Sequence, residues 1–379
     1  MPAALRIMGS PALPRGFSFA DEPLYVGPAG IDAGPGARAA VAAEAAWPLA
    51  GGPSLFTACR VMLRRADCVI EAMAPLPEVI DWAAGQGEAV ARHVSRLIHR
   101  IGAPRPPFAG LSMDRPRVMG IVNCTPDSFS DGGDRFDAAT AIAAGRMMLE
   151  RGADIVDVGG ESTRPGADPV PPEEEIRRVE PVVRALAETG AVVSIDTRHA
   201  VVMEAALAAG ARIVNDVSAL ADPAALPLLA RGEASVVLMH MRGDPRTMQM
   251  DPVYACAPLD VWDGLAARLA ACREAGIKDH RLCVDPGIGF GKTVEHNLAI
   301  LSRLGLLLGL GVPVALGVSR KSVIGKLSRD EPPKARLPGS LAAALEGARQ
   351  GATILRVHDV AETVQALAVA RALSDFVTP

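Results

Sequence analysis

The chain has 379 residues, a formal net charge of -4, and a composition that is 49% hydrophobic but only 3% aromatic. This length allows a large buried core and exceeds what a single α/β barrel needs. Because aromatic residues are scarce, we expect a core of Ala, Val, Leu and Ile, which favours buried parallel strands. The modest negative charge and the lack of a Lys/Arg-rich stripe give no reason to expect a nucleic-acid partner.

The cysteines and the N-terminal sequence predict a cytoplasmic protein. Six cysteines are scattered along the chain without a Cys-x-x-Cys pair, which fits a reducing compartment better than a disulfide framework. Met1 to Gly16 contains Gly and Pro where a signal peptide needs an apolar core. The most apolar stretch, Leu304 to Val318, is broken by Gly and Pro and is too short to span a bilayer. We therefore expect no membrane association.

The N-terminal segment, residues 1–113, is not needed to build a barrel. Leu55 to Val69 can supply strand structure, and the Pro-rich run Ala103–Pro107 is typical of a linker. Between them, an apolar stripe at helical spacing comprises Val90, Val94, Leu97, Ile98 and Ile101. We predict a small α/β appendage of unknown role over 1–113 and a barrel domain over 114–379.

From Arg117 onward, one pattern repeats along the chain. A helix-like stretch rich in Ala, Leu and Glu ends at a glycine, a short apolar run follows, and a polar residue then begins a loop. The apolar runs are Val118–Val122, Ile155–Val158, Val192–Ile195, Ile213–Val214, Val236–Met239, Leu282–Val284, Val314–Val318 and Ile354–Val357. Such strands separated by helices over roughly 250 residues predict a (β/α)8 TIM barrel, although an open doubly wound sheet shows a similar alternation.

Polar side chains follow these apolar runs. They are Asn123, Asp196, Asn215, His240, Asp285, Ser319 and His358, and Asp157 lies near the end of the second run. Each one alone could simply begin a loop. Barrel enzymes, however, build their active sites at the carboxyl ends of several strands, and a set this rich in Asn, Asp and His predicts such a site.

Longer motifs lie at the same strand ends. They read NCTPDSFSDGG from Asn123, DVGGESTRPG from Asp157, DPGIGFGK from Asp285, GVSRKS from Gly317 and RVHD from Arg356. The glycine spacing of the third motif fits neither a phosphate loop nor a dinucleotide fingerprint, which favours a tight turn. The fourth motif lies where a helix begins, so its amides, hydroxyls and cations could bind an anion or could serve as ordinary helix capping.

Taken together, the five motifs resemble the dihydropteroate synthase family, in which they occur in the same order. The resemblance spans nearly the whole region from Arg117 to the C-terminus. It implies a (β/α)8 barrel, in agreement with the repeating pattern, and a homodimer. It also implies a transferase of folate biosynthesis, the target of sulfonamides, that condenses 6-hydroxymethyl-7,8-dihydropterin diphosphate with 4-aminobenzoate to give 7,8-dihydropteroate and diphosphate.

The resemblance assigns a pterin pocket deep in the barrel mouth. Its expected residues are Asp196, Asn215, Asp285 and Lys321, with Met239 in apolar contact beneath the ring. Carboxylates can accept from the N–H donors of a pterin, Asn can pair both ways, and Lys can donate to a ring acceptor. Lys321 is also expected among the catalytic residues.

The resemblance places the diphosphate near Asn123, Arg356 and His358. Arg recognises phosphate oxygens with a planar pair of donors, and His can donate one more hydrogen bond. Mg²⁺ is expected beside the diphosphate, because this ion commonly rests on substrate phosphates with few protein ligands. Asn123 is the candidate protein ligand.

For 4-aminobenzoate, the resemblance implies stacking against Phe129, Pro165 and Phe290. Its carboxylate is expected to meet Ser322 and the helix start that follows Ser319. Aromatic residues are scarce in this chain, which makes the two phenylalanines noticeable, although a place in the core is the common fate of Phe.

The first two loops are expected to close over the site and to exclude water. They carry Asp131, Thr163 and Arg164, which we expect to be catalytic, with Asp131 and Arg164 positioning the nucleophile and the diphosphate. Closure matters because the resemblance implies C–O cleavage before the amine attacks, and water could capture the resulting cation.

Two other functions remain open. A pterin-dependent corrinoid methyltransferase shares the pterin pocket but has no reason to bind diphosphate and 4-aminobenzoate, so the first, second and fourth motifs favour the synthase. A catalytically silent, pterin-binding paralogue is disfavoured by the intact Asn123, Asp285, Lys321, Arg356 and His358. Retained residues alone do not prove turnover.

Overall fold

The computed structural model describes residues 4–43, 45–125, 137–162, 168–244 and 247–376, excluding the side chains of residues 35–38. These ranges contain two β-sheets: a five-stranded mixed sheet in the N-terminal segment and an eight-stranded parallel barrel in the rest of the chain. No helix among the described residues is long and apolar enough to cross a membrane.

The N-terminal segment folds into a mixed sheet with helices. Its elements are β1 (Arg6–Ser10), β2 (Leu24–Asp32), α1 (Pro35–Ala42), β3 (Trp47–Pro48), β4 (Leu55–Arg64), β5 (Cys68–Pro75), α2 (Leu76–Gly85) and α3 (Glu88–Gly102). The strand order is β1-β5-β4-β2, with β3 beside β4; only β1 and β5 pair in parallel. The predicted strand structure at 55–69 is divided between β4 and β5, because the chain turns where Arg65 N donates to Cys68 O (2.8 Å).

The predicted apolar stripe is confirmed on α3, where all five of its residues are buried. They join a core that also includes residues of the mixed sheet and of the barrel. The helix contacts both β2 and the 3-10 segment Leu304–Leu310 of the barrel. Burial of this stripe therefore attaches the appendage to the barrel by hydrophobic packing.

The rest of the chain forms the barrel. Its elements are β6 (Arg117–Asn123), α4 (Ala138–Glu150), β7 (Ile155–Gly159), α5 (Pro172–Ala187), β8 (Val193–Asp196), α6 (Ala200–Ala208), β9 (Ile213–Asp216), α7 (Ala225–Arg231), β10 (Ser235–Met239), α8 (Ala257–Glu274), β11 (Leu282–Asp285), α9 (Val294–Leu301), β12 (Ala315–Leu316), α10 (Ser322–Lys326), α11 (Leu337–Arg349), β13 (Ile354–Val357) and α12 (Val360–Asp375). The eight strands are parallel in the order β11-β10-β9-β8-β7-β6-β13-β12. A parallel bridge between Val284 and Val314 joins the two ends, so the predicted (β/α)8 barrel is confirmed.

A short turn closes the bottom of the barrel, at the amino ends of its strands. The backbones of Phe108 and Leu111 form two reciprocal hydrogen bonds of 2.9 Å, and Ala109 N donates to Ser235 Oγ (3.1 Å). Phe108 is fully buried in an apolar cluster with Met113, Met119, Ile155, Val192, Ile213, Val237, Cys283, Ala315 and Ile354. Seven of the eight barrel strands contribute a side chain to this layer, and Val192 directly precedes the eighth, β8.

The segment Ala103–Pro107 is more firmly held than a linker. Arg105 is only 6% exposed, its Nη1 donates to Arg100 O (2.7 Å), and its Nη2 donates to Leu308 O (3.1 Å). These bonds pair both Nη atoms of a buried guanidinium with carbonyls, one from the appendage and one from the barrel. The segment is therefore a fixed part of the interface between them.

The cysteines lie in the interior of the protein. All six are free and buried. Cys124, next to the expected site, is fully buried, and burial raises the pKa of its thiol to about 12. It packs as a small apolar residue rather than as a reactive thiol.

Candidate active site at the carboxyl ends of the barrel strands

Arg356 on β13 links two carboxylates across the barrel mouth. Its Nε donates to Asp157 Oδ2 (2.6 Å) and its Nη2 donates to Asp196 Oδ2 (2.5 Å). The partners lie on β7 and β8, so the guanidinium reaches past β6 to two further strands. Burial by itself would lower the pKa of Arg356, but Asp157 and Asp196 raise it above its ordinary value. The site therefore contains a permanent positive charge between two acids.

The same two acids each keep a second oxygen for a ligand. Asp157 Oδ1 and Asp196 Oδ1 are buried and have no hydrogen-bond partner among the described residues. Asn215 on β9 donates through Nδ2 to Asp157 Oδ2 (3.0 Å), which leaves Oδ1 as the open acceptor. An unsatisfied buried acceptor is costly, so the arrangement fits a ligand that presents N–H donors.

Burial changes the acidity of the carboxylates at the mouth. It raises the pKa of Asp196 to about 7, although Arg356 acts in the opposite direction. Burial also raises the pKa of Asp285, against the lowering effect of Lys321. Asp285 Oδ1 accepts from Gly287 N (2.6 Å), so this acid also shapes the turn that follows β11. Perturbed acids grouped in this way are typical of a functional site.

Lys321 and Phe290 come together although they lie on different loops. Lys321 Nζ donates to Ile288 O (2.5 Å) and lies 4.6 Å from the centre of the Phe290 ring. Burial lowers the pKa of Lys321 to about 8, while Asp285 raises it. Met239, at the end of β10, pairs in register with Asp285 and is 5% exposed. The structure thus places the predicted Met239, Asp285, Phe290 and Lys321 side by side.

Lys292 is a residue of this region that the sequence interpretation missed. It is 3% exposed, and its Nζ donates to Gly287 O (2.9 Å), Phe290 O (2.9 Å) and His240 O (3.1 Å). Three carbonyls from two loops therefore satisfy its three donors. Its position at the end of DPGIGFGK was the available signal, but only the fold shows that it joins the β11 loop to the β10 loop.

The sequence interpretation placed Asp157 among the polar residues near the strand ends but assigned it no role in binding the ligand. It is fully buried on β7 between Arg356 and Asn215. Its motif, DVGGESTRPG, drew attention to the loop rather than to the strand that precedes it. A polar residue near the carboxyl end of a barrel strand was nevertheless a signal that it faces the mouth.

Ser319, Arg320 and His358 form a separate side of the site. Ser319 Oγ accepts from His358 N (3.2 Å) and lies 3.1 Å from His358 Nδ1. Arg320 is paired with Asp359 through both Nε and Nη2, so its charge is already neutralised. Ser322 is exposed at the start of α10. Of the two cations in SRKS, only Lys321 faces the pocket.

Asn123 ends β6, which lies between β7 and β13, and it is half-buried there. This places it beside the strand that carries Arg356 and leads to His358, as the diphosphate prediction requires. The remaining predicted residues lie outside the described ranges; they are Phe129, Asp131, Thr163, Arg164 and Pro165.

Behind the mouth, Glu161, Glu175 and His199 bring potential metal-ligand atoms within 4.8 Å of one another. Arg198 donates to both oxygens of Glu161 (2.9 and 3.1 Å), and Val170 N donates to Oε1 as well (3.1 Å). Burial raises the pKa of Glu175 to about 8, which favours its neutral form. An ion pair plus a neutral acid suits structural anchoring of this loop better than it suits a divalent cation.

Comparison with known proteins agrees with this geometry. The family described as "Pterin binding enzyme" matches residues 119–358. Dihydropteroate synthase from Neisseria meningitidis serogroup C is 50% identical over 267 residues, covering 69% of this chain and 94% of the relative.

Solved structures of Xanthomonas albilineans dihydropteroate synthase are also similar. The structure with 4-aminobenzoic acid has a TM-score of 0.68 and 50% identity, covering 72% of this chain and 99% of the other. The structure in complex with 7,8-dihydropteroate has a TM-score of 0.66 and 47% identity, covering 72% and 100% respectively. The chain therefore belongs to the dihydropteroate synthase family, transferases of folate biosynthesis built on a (β/α)8 barrel.

Proposed function

We propose that this barrel mouth condenses 6-hydroxymethyl-7,8-dihydropterin diphosphate with 4-aminobenzoate, through the residues described above. The observation that carries the proposal is the pair of buried, unpartnered oxygens, Asp157 Oδ1 and Asp196 Oδ1. The aminopyrimidinone edge of a pterin offers N–H donors that would satisfy both. Asn215 and Asp285 extend the same recognition surface, and Met239 lies beneath it.

The diphosphate would lie where β6 and β13 end. Arg356 lies on β13, His358 directly follows that strand, and Asn123 ends the neighbouring strand β6, so all three could contact one diphosphate group. The amide oxygen of Asn123 is a hard donor of the kind that Mg²⁺ prefers, and substrate oxygens and water would complete its coordination. Bound there, Mg²⁺ would neutralise charge on the departing diphosphate.

The aryl amine would enter from the side of Phe290 and Lys321. The Phe290 ring, held beneath the Lys321 ammonium, offers an apolar face for the benzene ring. Ser322, exposed at the start of α10, can donate a hydrogen bond to the carboxylate. Phe129 and Pro165 remain predicted contacts of the same ring.

In the reaction, the pterin C–O bond breaks and the amine nitrogen bonds to the methylene carbon, with loss of a proton from nitrogen. Arg356 and His358 would stabilise the departing diphosphate electrostatically. Asp131, Thr163 and Arg164 remain predicted catalytic residues on the first two loops. The homodimer, the cytoplasmic location and the division into 1–113 and 114–379 also remain proposals.

The test is diphosphate release by the purified full chain, with dihydropteroate identified by mass. Product should form only when pterin diphosphate, 4-aminobenzoate and Mg²⁺ are all present. Lys321→Ala should sharply reduce it, because the variant loses the cation beside Phe290 and Asp285. Binding of pterin diphosphate without any product would instead favour the silent paralogue, and methyl transfer to a corrinoid would favour the methyltransferase.

A further inference from the structure

We propose that the N-terminal sheet positions the substrate loops of the barrel, with Arg64 as the positioning residue. Arg64 would act through Asp260 and Arg242 on the loop that carries Phe290. The inference rests on the proposed contact between Phe290 and 4-aminobenzoate. It gives a role to the appendage, which lies before the family match at residues 119–358.

The first step is the contact between the appendage and the start of α8. Arg64, at the end of β4, donates through Nη2 to Asp260 Oδ1 (2.9 Å), and its Nη1 lies 3.3 Å from Asp263 Oδ2. Tyr25 on β2 donates to Asp263 Oδ1 (2.9 Å) and packs edge-on against Trp262. The mixed sheet therefore holds the first turns of α8 by directed bonds as well as by packing.

The second step leads from Asp260 into the loop between β10 and α8. Asp260 Oδ2 accepts from Ala255 N (2.9 Å) and lies 3.4 Å from Arg242 Nη2. The Asp260 side chain is only 7% exposed, so solvent only weakly screens its electrostatic attraction to Arg64 and Arg242. The Arg242 guanidinium in turn lies 4.1 Å from the centre of the Tyr254 ring. One buried carboxylate thus connects the appendage to this loop.

The third step joins the β10 loop to the β11 loop, which carries Phe290. Gln249 Nε2 donates to Gly289 O (2.6 Å). Gly291 has a φ of +59°, and a Cβ there would lie 2.4 Å from Arg242 O, so the two backbones are in direct contact. Lys292 adds its bonds to His240 O and Phe290 O. A displacement of Arg242 would therefore move the backbone on both sides of Phe290.

The kinetic test uses Arg64→Met in the full chain. Methionine keeps the apolar stem but removes both ion pairs. We expect KM for 4-aminobenzoate to rise about threefold to fivefold, because a partly exposed ion pair contributes up to about 1 kcal/mol. KM for pterin diphosphate should stay within about twofold of the wild-type value. Arg64→Lys should restore part of the loss, because a cation returns beside Asp260.

The chain offers a matched control in Arg303→Met. Arg303 lies after α9, bonds to Glu71 of the appendage (2.6 and 3.1 Å), and has an exposure close to that of Arg64, 18% against 22%. Each variant leaves the remaining acid with a second arginine, Arg242 for Asp260 and Arg60 for Glu71. The same rise in KM for 4-aminobenzoate in both variants would overturn the proposal, because it would reduce Arg64 to general attachment.

Hydrogen exchange separates this inference from the proposed function. If Arg64 positions the loop, Arg64→Met should speed exchange of the Gly289 to Lys292 amides, and Arg303→Met should not. This result does not depend on turnover. Phe290→Ala without a change in KM for 4-aminobenzoate would refute only the ring contact, whereas unchanged exchange in Arg64→Met would refute the positioning role.

Discussion

The two ends of the barrel are built from the same eight strands but have opposite chemistry. At the carboxyl ends, Asp157, Asp196 and Arg356 form a charged network in which two acceptors await a partner. At the amino ends, Phe108 fills an apolar layer. The first arrangement is costly without a ligand, and the second stabilises the fold whether or not a ligand is bound. Function and stability are thus separated along the barrel axis.

The largest effect is expected from Arg356→Ala. Removal of this cation leaves Asp157 and Asp196 buried together without compensation, which should cost about 3–5 kcal/mol in stability or in substrate binding. Thermal unfolding and the affinity for pterin diphosphate would measure the two parts of this loss. Arg356→Lys is the control that keeps the positive charge but lacks the two separate N–H donors that reach Asp157 and Asp196. Wild-type affinity in Arg356→Ala would contradict the charged network as the pterin and diphosphate site.

At the other end, Phe108→Ala should lower the free energy of unfolding by about 3 kcal/mol, because it leaves a cavity in the apolar layer. KM for both substrates should stay close to the wild-type values at temperatures where the variant is folded. Denaturant titration and steady-state kinetics would test this, with Phe108→Leu as a milder control. A large change in KM without a loss of stability would contradict the assignment of function to one end of the barrel and stability to the other.

A smaller effect should appear in the pH dependence of pterin binding. Burial raises the pKa of Asp196 to about 7, so the ionised, accepting form decreases as the pH falls through that value. Affinity for the pterin should therefore fall by about tenfold per pH unit below the pKa. Calorimetry between pH 5 and 8 would show the trend. Asp196→Asn should bind weakly at every pH, and an unchanged slope in this variant would assign the titration to another group.

A second pH-dependent effect concerns the stability of the fold and involves Glu175, behind the mouth. Burial raises its pKa in the folded state from 4.5 to about 8, so its contribution to stability is present below pH 4.5 and is lost as the pH rises through 8. Glu175→Gln cannot ionise. The stability of the variant relative to wild type should therefore grow from pH 4.5 to 8 and then level off. Denaturation at several pH values would measure it, with the exposed Glu180→Gln as the control that should show no such trend.

The barrel and much of its site could be predicted from the sequence because both depend on local patterns. Short aliphatic runs between helices place the strands, and motif residues at their ends place the mouth. The helix at 88–102 was equally predictable, since its apolar stripe repeats at helical spacing. The pairing of β4 with β5 was not, because a turn without glycine at Arg65 carries a weak local signal.

The sequence by itself determined the fold class, the family, and the identity of the polar residues at the strand ends. Only the tertiary structure decided which distant polar groups meet: Arg356 with Asp157, Lys292 with the His240 carbonyl, and Arg64 with Asp260. The reason is physical. Periodicity and turn chemistry act between near neighbours in the chain, whereas these bonds join residues far apart in sequence, whose distance is set by closure of the barrel and by docking of the mixed sheet.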